Sequence, residues 1–162
     1  MSRINPCLWF DNQAEEAVAF YTSVFKNSRV MEVARYPAVG QEIHGGKAGS
    51  VLTVAFELGG QRFVALNGGP IFKFNEAISL QVDVESQEEL DDYWNKLSEG
   101  GDPDAQQCGW LKDRYGLSWQ IVPRVLLDMI LDPDTAKSQR AFAAMLQMKK
   151  LDIATLEAAY AG

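Results

Sequence analysis

The sequence predicts an α+β fold in which two similar βαβββ modules are followed by a C-terminal helical extension. Two repeated patterns indicate the modules. The helical spacing of EEAVAFY, which begins at Glu15, returns in EELDDYW, which begins at Glu88, and each segment follows a strand-like run. The turn and strand pattern of GQRFVAL, from Gly60, returns in GLSWQIV, from Gly116. The expected boundaries are 1–123 for the paired modules, at about 3–70 and 75–123, and 124–162 for the helical extension.

The first module reads as strand, helix and three further strands. Its last two strands are joined by Gly59-Gly60, a pair typical of a β-hairpin turn. The segment 37–50, PAVGQEIHGGKAGS, has no periodicity, and a loop of this length in a compact domain is often a lid or a binding loop. The predicted elements are a strand at 4–10, a helix at 13–26 and strands at 28–36, 51–58 and 62–66.

The second module is shorter and is followed by three helices. Ser86 and Glu89 have the spacing of a capping box, and Asp132 or Asp134, then Asp152, are candidate N-caps of later helices. The predicted elements are a strand at 76–84, a helix at 86–101, short strands near 106–108, 110–112 and 118–122, and helices within 124–131, 132–150 and 152–162. An apolar stripe in the extension predicts packing against the sheet or a second subunit, and its members are Phe142, Met145, Leu146 and Met148.

Charge and composition exclude several classes of partner. The formal net charge of the 162 residues is −7, so neither nucleic acid nor an anionic membrane is an expected partner. No apolar run approaches the roughly 20 residues of a membrane helix, and the N-terminus lacks the apolar core of a secretory signal. We therefore expect a cytoplasmic protein whose cysteines, Cys7 and Cys108, are free thiols.

Four separated motifs resemble one family. WFDNQAEEAVAFYTSVF, FELGGQRFVALNGGP, FKFNEAISLQVDV and QQCGWLKDRYGLSWQIVP, in this order, are similar to PhnB-like proteins, whose domain is also labelled 3-demethylubiquinone-9 3-methyltransferase. This is a branch of the vicinal oxygen chelate superfamily, which includes glyoxalase I, fosfomycin- and bleomycin-resistance proteins and extradiol dioxygenases. The resemblance covers roughly residues 3–160 and implies the glyoxalase/bleomycin resistance/dioxygenase-like fold. It implies no particular reaction, because the branch is largely without assigned activities.

The resemblance also implies where a metal would lie. Metalloenzymes of the superfamily place ligands on the first and last strands of each module. The corresponding positions here are at or near Pro6, then Val64, then one of Ala77, Ser79 and Gln81, and finally Gln120. None of these is His, Asp, Glu or Cys, whereas a divalent ion needs about three or four suitable donors. We therefore expect no metal. No glycine-rich loop follows a strand and opens a helix, so no dinucleotide or S-adenosylmethionine cofactor is expected either.

A small apolar or aromatic ligand in the cleft of a homodimer is the favoured interpretation. Gln120 stands where metal-binding relatives have glutamate, and its amide can orient a ligand or bond to a neighbouring strand. Whether the modules pair within one chain or across the dimer is left open. Aromatic residues on strands are more often core than ligand contacts. The candidate ligand contacts, beside loop 37–50, are Gln120, Trp9, Trp110, Trp119 and Phe72, with Phe63 nearby.

Catalysis and protein interaction are the alternatives. His44, the one histidine, could transfer a proton, although a loop residue exposed to solvent is the plainer interpretation. Cys108 would need His44 as its base and is more simply a structural thiol. Glu57 is the third candidate for an acid-base role. Asp113 and Arg114 precede a turn at Tyr115-Gly116 and suggest that turn or a surface ion pair. In the interaction alternative the C-terminal helices bind a protein partner.

Overall fold

A computed structural model describes residues 3–162, which divide into two compact units, 3–74 and 75–162. Each unit contains a small sheet and packed helices, so the predicted α+β class is confirmed. The C-terminal helices belong to the second unit. Within residues 3–162 no helix has both the length and the apolar character that crossing a membrane requires.

The first unit is a four-stranded sheet in the order β1-β4-β3-β2, with β1 parallel to β4 and the other pairs antiparallel. Helix α1 packs against β3 and β4 with small and apolar residues at helical spacing, Ala14, Ala17, Val18, Tyr21 and Val24. The elements are β1 (Cys7–Phe10), α1 (Ala14–Val24), β2 (Arg29–Arg35), α2 (Gln41–His44), β3 (Val51–Leu58) and β4 (Gln61–Asn67).

The predicted order of elements in the first module is confirmed. The hairpin between β3 and β4 turns through Gly59 and Gly60, whose φ angles of 54° and 89° match the turn type that such pairs favour. The loop 37–50 contains the single helical turn α2, which was not predicted because the loop sequence has no helical periodicity. Gly40 and Gly45, both left-handed, bound this turn and explain why it is so short.

The second unit has a three-stranded sheet in the order β5-β7-β6, with β5 parallel and β6 antiparallel to β7. Helix α3 covers one face of this sheet, and α4 continues directly from the end of β7. The elements are β5 (Ser79–Val84), α3 (Gln87–Ser98), a 3-10 turn (Pro103–Ala105), β6 (Trp110–Lys112), β7 (Ser118–Pro123), α4 (Arg124–Ile130), α5 (Thr135–Met145) and α6 (Ile153–Ala161).

The strand expected near 106–108 is reduced to one bridge between Gln107 and Trp110. Cys108 and Gly109 between them both have positive φ, 50° and 84°, as in a tight two-residue hairpin turn. The N–H groups of these two residues donate to carbonyls of the chain after α5, at 2.8 and 2.7 Å. The strand expected here is therefore absent, and the chain after α5 accepts the hydrogen bonds of this turn instead.

The predicted N-caps lie at the observed helix starts. Asp134 caps α5, Asp152 caps α6, and the Ser86 hydroxyl accepts from the backbone N–H of Glu89 at 3.2 Å. The capping box at α3 is only half formed, because the Glu89 carboxylate accepts from the N–H of Glu85 at 3.0 Å.

Candidate functional site

A cavity of about 530 Å³ lies within the second unit, between the β5-β7-β6 sheet and the C-terminal helices. Its floor is the sheet face opposite α3. Because side chains alternate along a strand, Gln120 and Val122 of β7 point to this face, whereas Trp119 and Ile121 are buried on the other. The size falls within the range of small-molecule sites in proteins.

The floor of the cavity carries a row of polar and aromatic groups. Gln81, Gln120 and Trp110 are register partners across the three strands. The Gln120 amide donates from Nε2 to the hydroxyl of Ser79 at 2.8 Å, and the Gln81 amide donates to one carboxylate oxygen of Asp83 at 2.8 Å. Neither bond uses Gln120 Oε1 or Asp83 Oδ2, so the floor offers hydrogen-bond acceptors beside a flat indole ring.

The wall of the cavity is mainly apolar and comes from the C-terminal extension. It is formed by Leu127 and Ile130 of α4, Met145 at the end of α5, and Leu151. Leu151 is 1% exposed and packs against Gly109 so closely that an added Cβ there would lie 3.0 Å from Leu151 Cδ1. The extension therefore fits against the hairpin turn as part of the folded unit.

Polar bonds hold the segment after α5 along the sheet. The Gln107 amide donates to the carbonyl of Leu146 at 3.0 Å, and the next two bonds are those from the N–H groups of Cys108 and Gly109. Three carbonyls of this short segment, those of Leu146, Met148 and Lys149, are therefore hydrogen-bonded, and these bonds fix its position against the hairpin turn.

Helix α3 holds the far end of the same segment. The Gln87 side chain accepts from the N–H of Ile153 at 2.8 Å and donates to the carbonyl of Leu151 at 3.2 Å. Asp91 pairs with Lys150 at 2.7 Å, and the hydrogen bonds from Lys150 and Gln87 hold the pKa of the Asp91 carboxyl below its ordinary value.

Cys108 lines the cavity, but its surroundings are those of a structural thiol. Its Sγ accepts from the Gln107 amide at 3.3 Å, and its backbone occupies the left-handed turn position. Among the described residues that line the cavity, the one cationic side chain is Arg124, which pairs with Glu85 at 2.9 Å. No histidine is among the described residues that line this cavity, and His44, the base that Cys108 would need, belongs to the first unit.

Trp119 lies in the core, away from the cavity. It is 2% exposed, and its indole Nε1 donates to Asp113 Oδ2 at 2.9 Å. Asp113 is itself 2% exposed and also accepts from the backbone N–H groups of Tyr115 and Leu117, at 2.8 and 3.1 Å. The carboxylate organises a buried turn, as one of the two expectations had it, and the neighbouring Arg114 pairs with Glu99 at 3.6 Å.

The first unit contains the other two candidate aromatics. Trp9 of β1 donates from Nε1 to the carbonyl of Gly69 at 2.9 Å, and its ring lies against Gly68, where an added Cβ would be 2.3 Å from the ring. Phe72 is 61% exposed and meets Trp9 edge to face, with ring centroids 4.9 Å apart. The structure thus brings Trp9 and Phe72 together, whereas Phe63 is buried on Phe56.

Loop 37–50 lines a second cavity, of about 470 Å³, within the first unit. Tyr36 anchors the base of the loop, since its hydroxyl donates to the carbonyl of Asn67 at 2.6 Å and its ring stacks on His44 at 4.7 Å. His44 Nδ1 accepts from the N–H of Gly46 at 3.0 Å, so the ring proton lies on Nε2 and points to the carbonyl of Val39 at 3.0 Å. Both ring nitrogens are occupied by the loop, and His44 has no lone pair directed at a substrate.

Glu57 lies at the hairpin end of β3 and pairs with Arg29 at 3.4 Å. It lines neither of the two cavities. A surface ion pair of this kind indicates no catalytic role.

Comparison with known proteins decides the family. A family model described as 3-demethylubiquinone-9 3-methyltransferase matches residues 2–122. The chain belongs to this family. A PhnB protein from Bacillus cereus that carries the same description is 36% identical, and the alignment covers 75% of this chain and 99% of that chain with a TM-score of 0.63. The resemblance drawn from the four motifs is therefore confirmed.

More distant structures share the fold. A Pseudomonas aeruginosa protein is 19% identical, with 76% of this chain and 98% of that chain covered at a TM-score of 0.55. The fosfomycin resistance protein FosX from Listeria monocytogenes is 12% identical, with 81% and 98% covered at a TM-score of 0.56. A search of curated proteins gave no match.

The S-adenosylmethionine that the name methyltransferase implies does not fit the residues present. The junctions before α1 and α3, Asp11-Asn12-Gln13 and Glu85-Ser86, contain no glycine, and β7 runs directly into α4. The junction 36–40 before the single turn α2 contains one glycine, Gly40, so none of these is the glycine-rich loop of the usual S-adenosylmethionine site. A metal of the kind that the motif resemblance implied does not fit either. Among residues 3–162 no group of three His, Cys, Asp or Glu side chains is placed to hold an ion, and Gln120 bonds to Ser79.

Sequence reasoning missed the cavity wall. It assigned Met145 to a packing stripe, yet Phe142 and Leu146 of that stripe are 45% and 44% exposed and Met145 lines the cavity. Helical spacing identifies an apolar face and gives no sign of which member borders a void. The opposite orientations of Trp119 and Gln120, by contrast, follow from their adjacency on one strand.

Proposed function

We propose that this protein binds a small, flat, largely apolar molecule in the cavity of the second unit, without a metal. The observation that carries the proposal is the row formed by Gln120 and Trp110 on the cavity floor, beneath an apolar helical wall. Sites of this composition use apolar surfaces for affinity and a few polar groups for orientation. Here Trp110 supplies a stacking face and Gln120 Oε1 supplies an acceptor.

The charges around the cavity favour a neutral or cationic ligand. Asp83 and Asp128 line it, and the charge of Arg124 is balanced by Glu85. An anionic ligand would meet carboxylates without a free cation to pair with, which costs binding free energy. Gln120 Oε1 and Asp83 both accept hydrogen bonds, so an N–H or O–H group on the ligand edge fits this floor.

Titration calorimetry with carbazole, a flat molecule with one N–H donor, tests the proposal. We expect saturable binding that a chelator does not change. Gln120→Leu should weaken it about three- to tenfold, because one hydrogen bond contributes about 0.5–1.5 kcal/mol. Gln61→Leu makes the same change on an exposed strand position and should bind as the wild type does. Absence of saturable binding to wild type, or equal binding by both variants, would count against the proposal.

We also propose that the protein is a homodimer. Strand β2 forms an edge of the first sheet and exposes three apolar side chains, Val30, Met31 and Val33. An apolar sheet edge is prone to pair with another chain. Sedimentation equilibrium should give twice the monomer mass, and a monomer at tens of micromolar protein would refute this.

A further inference from the structure

We propose that the C-terminal segment 124–151 sets the size of ligand that the cavity admits, with Met145 as the limiting residue. This inference rests on the proposed binding function and adds a determinant of specificity to it. The family model ends at residue 122, and 99% of the Bacillus cereus PhnB protein aligns with only 75% of this chain. Helices α4 to α6 thus lie outside the part of the chain that defines the family.

The segment supplies most of the aliphatic lining of the cavity, together with Arg124 and Asp128, whereas the sheet supplies the two amides and Asp83 together with Trp110 and Val122. Leu127, Ile130, Met145 and Leu151 all come from the extension, and Gln81, Asp83 and Gln120 all come from β5 and β7. The sheet residues therefore orient the polar edge of a ligand. How far its apolar body can extend depends on the distance to the helices.

The helices can select by size because their position is fixed at both ends. At the sheet end α4 begins at Arg124, the residue after β7, and the Ser138 hydroxyl ties α5 to α4 by donating to the carbonyl of Ile130 at 2.9 Å. Arg140 of α5 donates to the carbonyls of Ala159 and Tyr160 in α6, at 3.0 and 2.7 Å. A wall held in this way responds to an oversized ligand by excluding it.

Met145 is the wall residue most suited to set the limit. It is the last residue of α5, it is half-buried, and the segment fixed by Gln107 begins at the next residue. Its backbone therefore cannot retreat, although its unbranched side chain can adapt to different ligand outlines. Phe142, three residues earlier on the same helix, is exposed and does not line the cavity, so it provides a matched control.

Affinities for three flat probes that share one N–H group, indole, carbazole and benzocarbazole, test the inference in the full-length protein. We expect Met145→Ala to raise the affinity for benzocarbazole relative to indole by about tenfold, and Met145→Trp to lower that for carbazole by a similar factor while indole binding persists. Leu127→Trp, at an exposed wall position that tolerates a large side chain, should also lower carbazole binding relative to indole. Phe142→Ala and Phe142→Trp should keep the wild-type ratios.

The outcomes separate the two proposals. If wild type binds none of the three probes, the proposed binding function fails. If wild type binds but neither the Met145 nor the Leu127 substitutions change the ratios more than those at Phe142, the binding function stands and the selectivity inference is overturned. Unfolding midpoints confirm that each variant is folded, and the Leu127 variant carries the test should a Met145 variant fail to fold.

Discussion

Replacing Gly109 with alanine tests how closely the C-terminal segment fits the second unit. Gly109 has a φ of +84°, and its added Cβ would lie 3.0 Å from Leu151 Cδ1 and 3.2 Å from the carbonyl oxygen of Ile121. Gly116 has nearly the same φ, +83°, but an added Cβ there has nothing within 4 Å. The two substitutions therefore share the free-energy cost of a left-handed alanine, and only Gly109→Ala adds a close contact with Leu151 and Ile121.

The expected magnitudes follow from these two terms. A left-handed alanine costs about 1–2 kcal/mol, and in Gly116→Ala no contact within 4 Å adds to this cost. Crowding a packed site adds about 1–3 kcal/mol, so Gly109→Ala should lower the free energy of unfolding by about 2–5 kcal/mol. The gain from a stiffer unfolded chain is common to both variants and cancels in the comparison.

Urea unfolding followed by circular dichroism measures both variants. The midpoint should fall further for Gly109→Ala than for Gly116→Ala, and hydrogen exchange of residues 146–153 should accelerate only in the former. In a Leu151→Ala background the cost of Gly109→Ala should shrink, because the side chain it meets is gone. Equal destabilisation by the two alanines would refute the close fit between the turn and Leu151.

Two further predictions concern buried and paired carboxylates. Asp113→Asn should lower the free energy of unfolding, measured with urea, by about 2–4 kcal/mol. The amide N–H₂ group would then face a backbone or indole N–H group from which the carboxylate accepts a hydrogen bond. As a control, Asp102→Asn at the exposed cap of the 3-10 turn should change this free energy little. The depressed pKa of Asp91 means that its pairing stabilises the fold above the ordinary carboxyl value, near pH 4, and that this stability is lost as the pH falls through the lower, folded-state value. The urea midpoints of wild type and Asp91→Asn should thus differ at pH 7 and draw together as the pH falls below the ordinary carboxyl value, and a constant difference would contradict the assignment.

Elements with local signals were predictable from the sequence. The glycine hairpin at Gly59, the cap at Ser86 and the cap at Asp152 each act through residues a few positions apart, so spacing was sufficient. The repetition of a strand, a helix and further strands was also predictable, because in each unit one helix packs on one face of a sheet. For these elements only the exact ends differed, whereas the strand expected near 106–108 is a single bridge and the helical turn α2 was not predicted.

Features that depend on distant residues were not predictable. The hairpin turn at Cys108 replaces a strand because residues forty positions later accept its hydrogen bonds, and nothing near the turn signals them. The position of Met145 in the cavity wall was not predictable for the same reason, because it depends on sheet residues far away in the sequence. His44 is a third case, since its ring nitrogens are satisfied by backbone groups of its own loop. Left-handed Gly40, Gly45 and Gly49 permit the conformation of that loop.

Fluorine NMR of protein labelled with 5-fluorotryptophan tests the central claim, that the cavity of the second unit is the binding site. The chain has four tryptophans, each assignable by substitution with phenylalanine, and of these Trp110 alone lines the cavity. Saturation with carbazole should shift the Trp110 resonance and leave those of Trp9 and the buried Trp119 in place. A shift of Trp9 with no change at Trp110 would contradict the account.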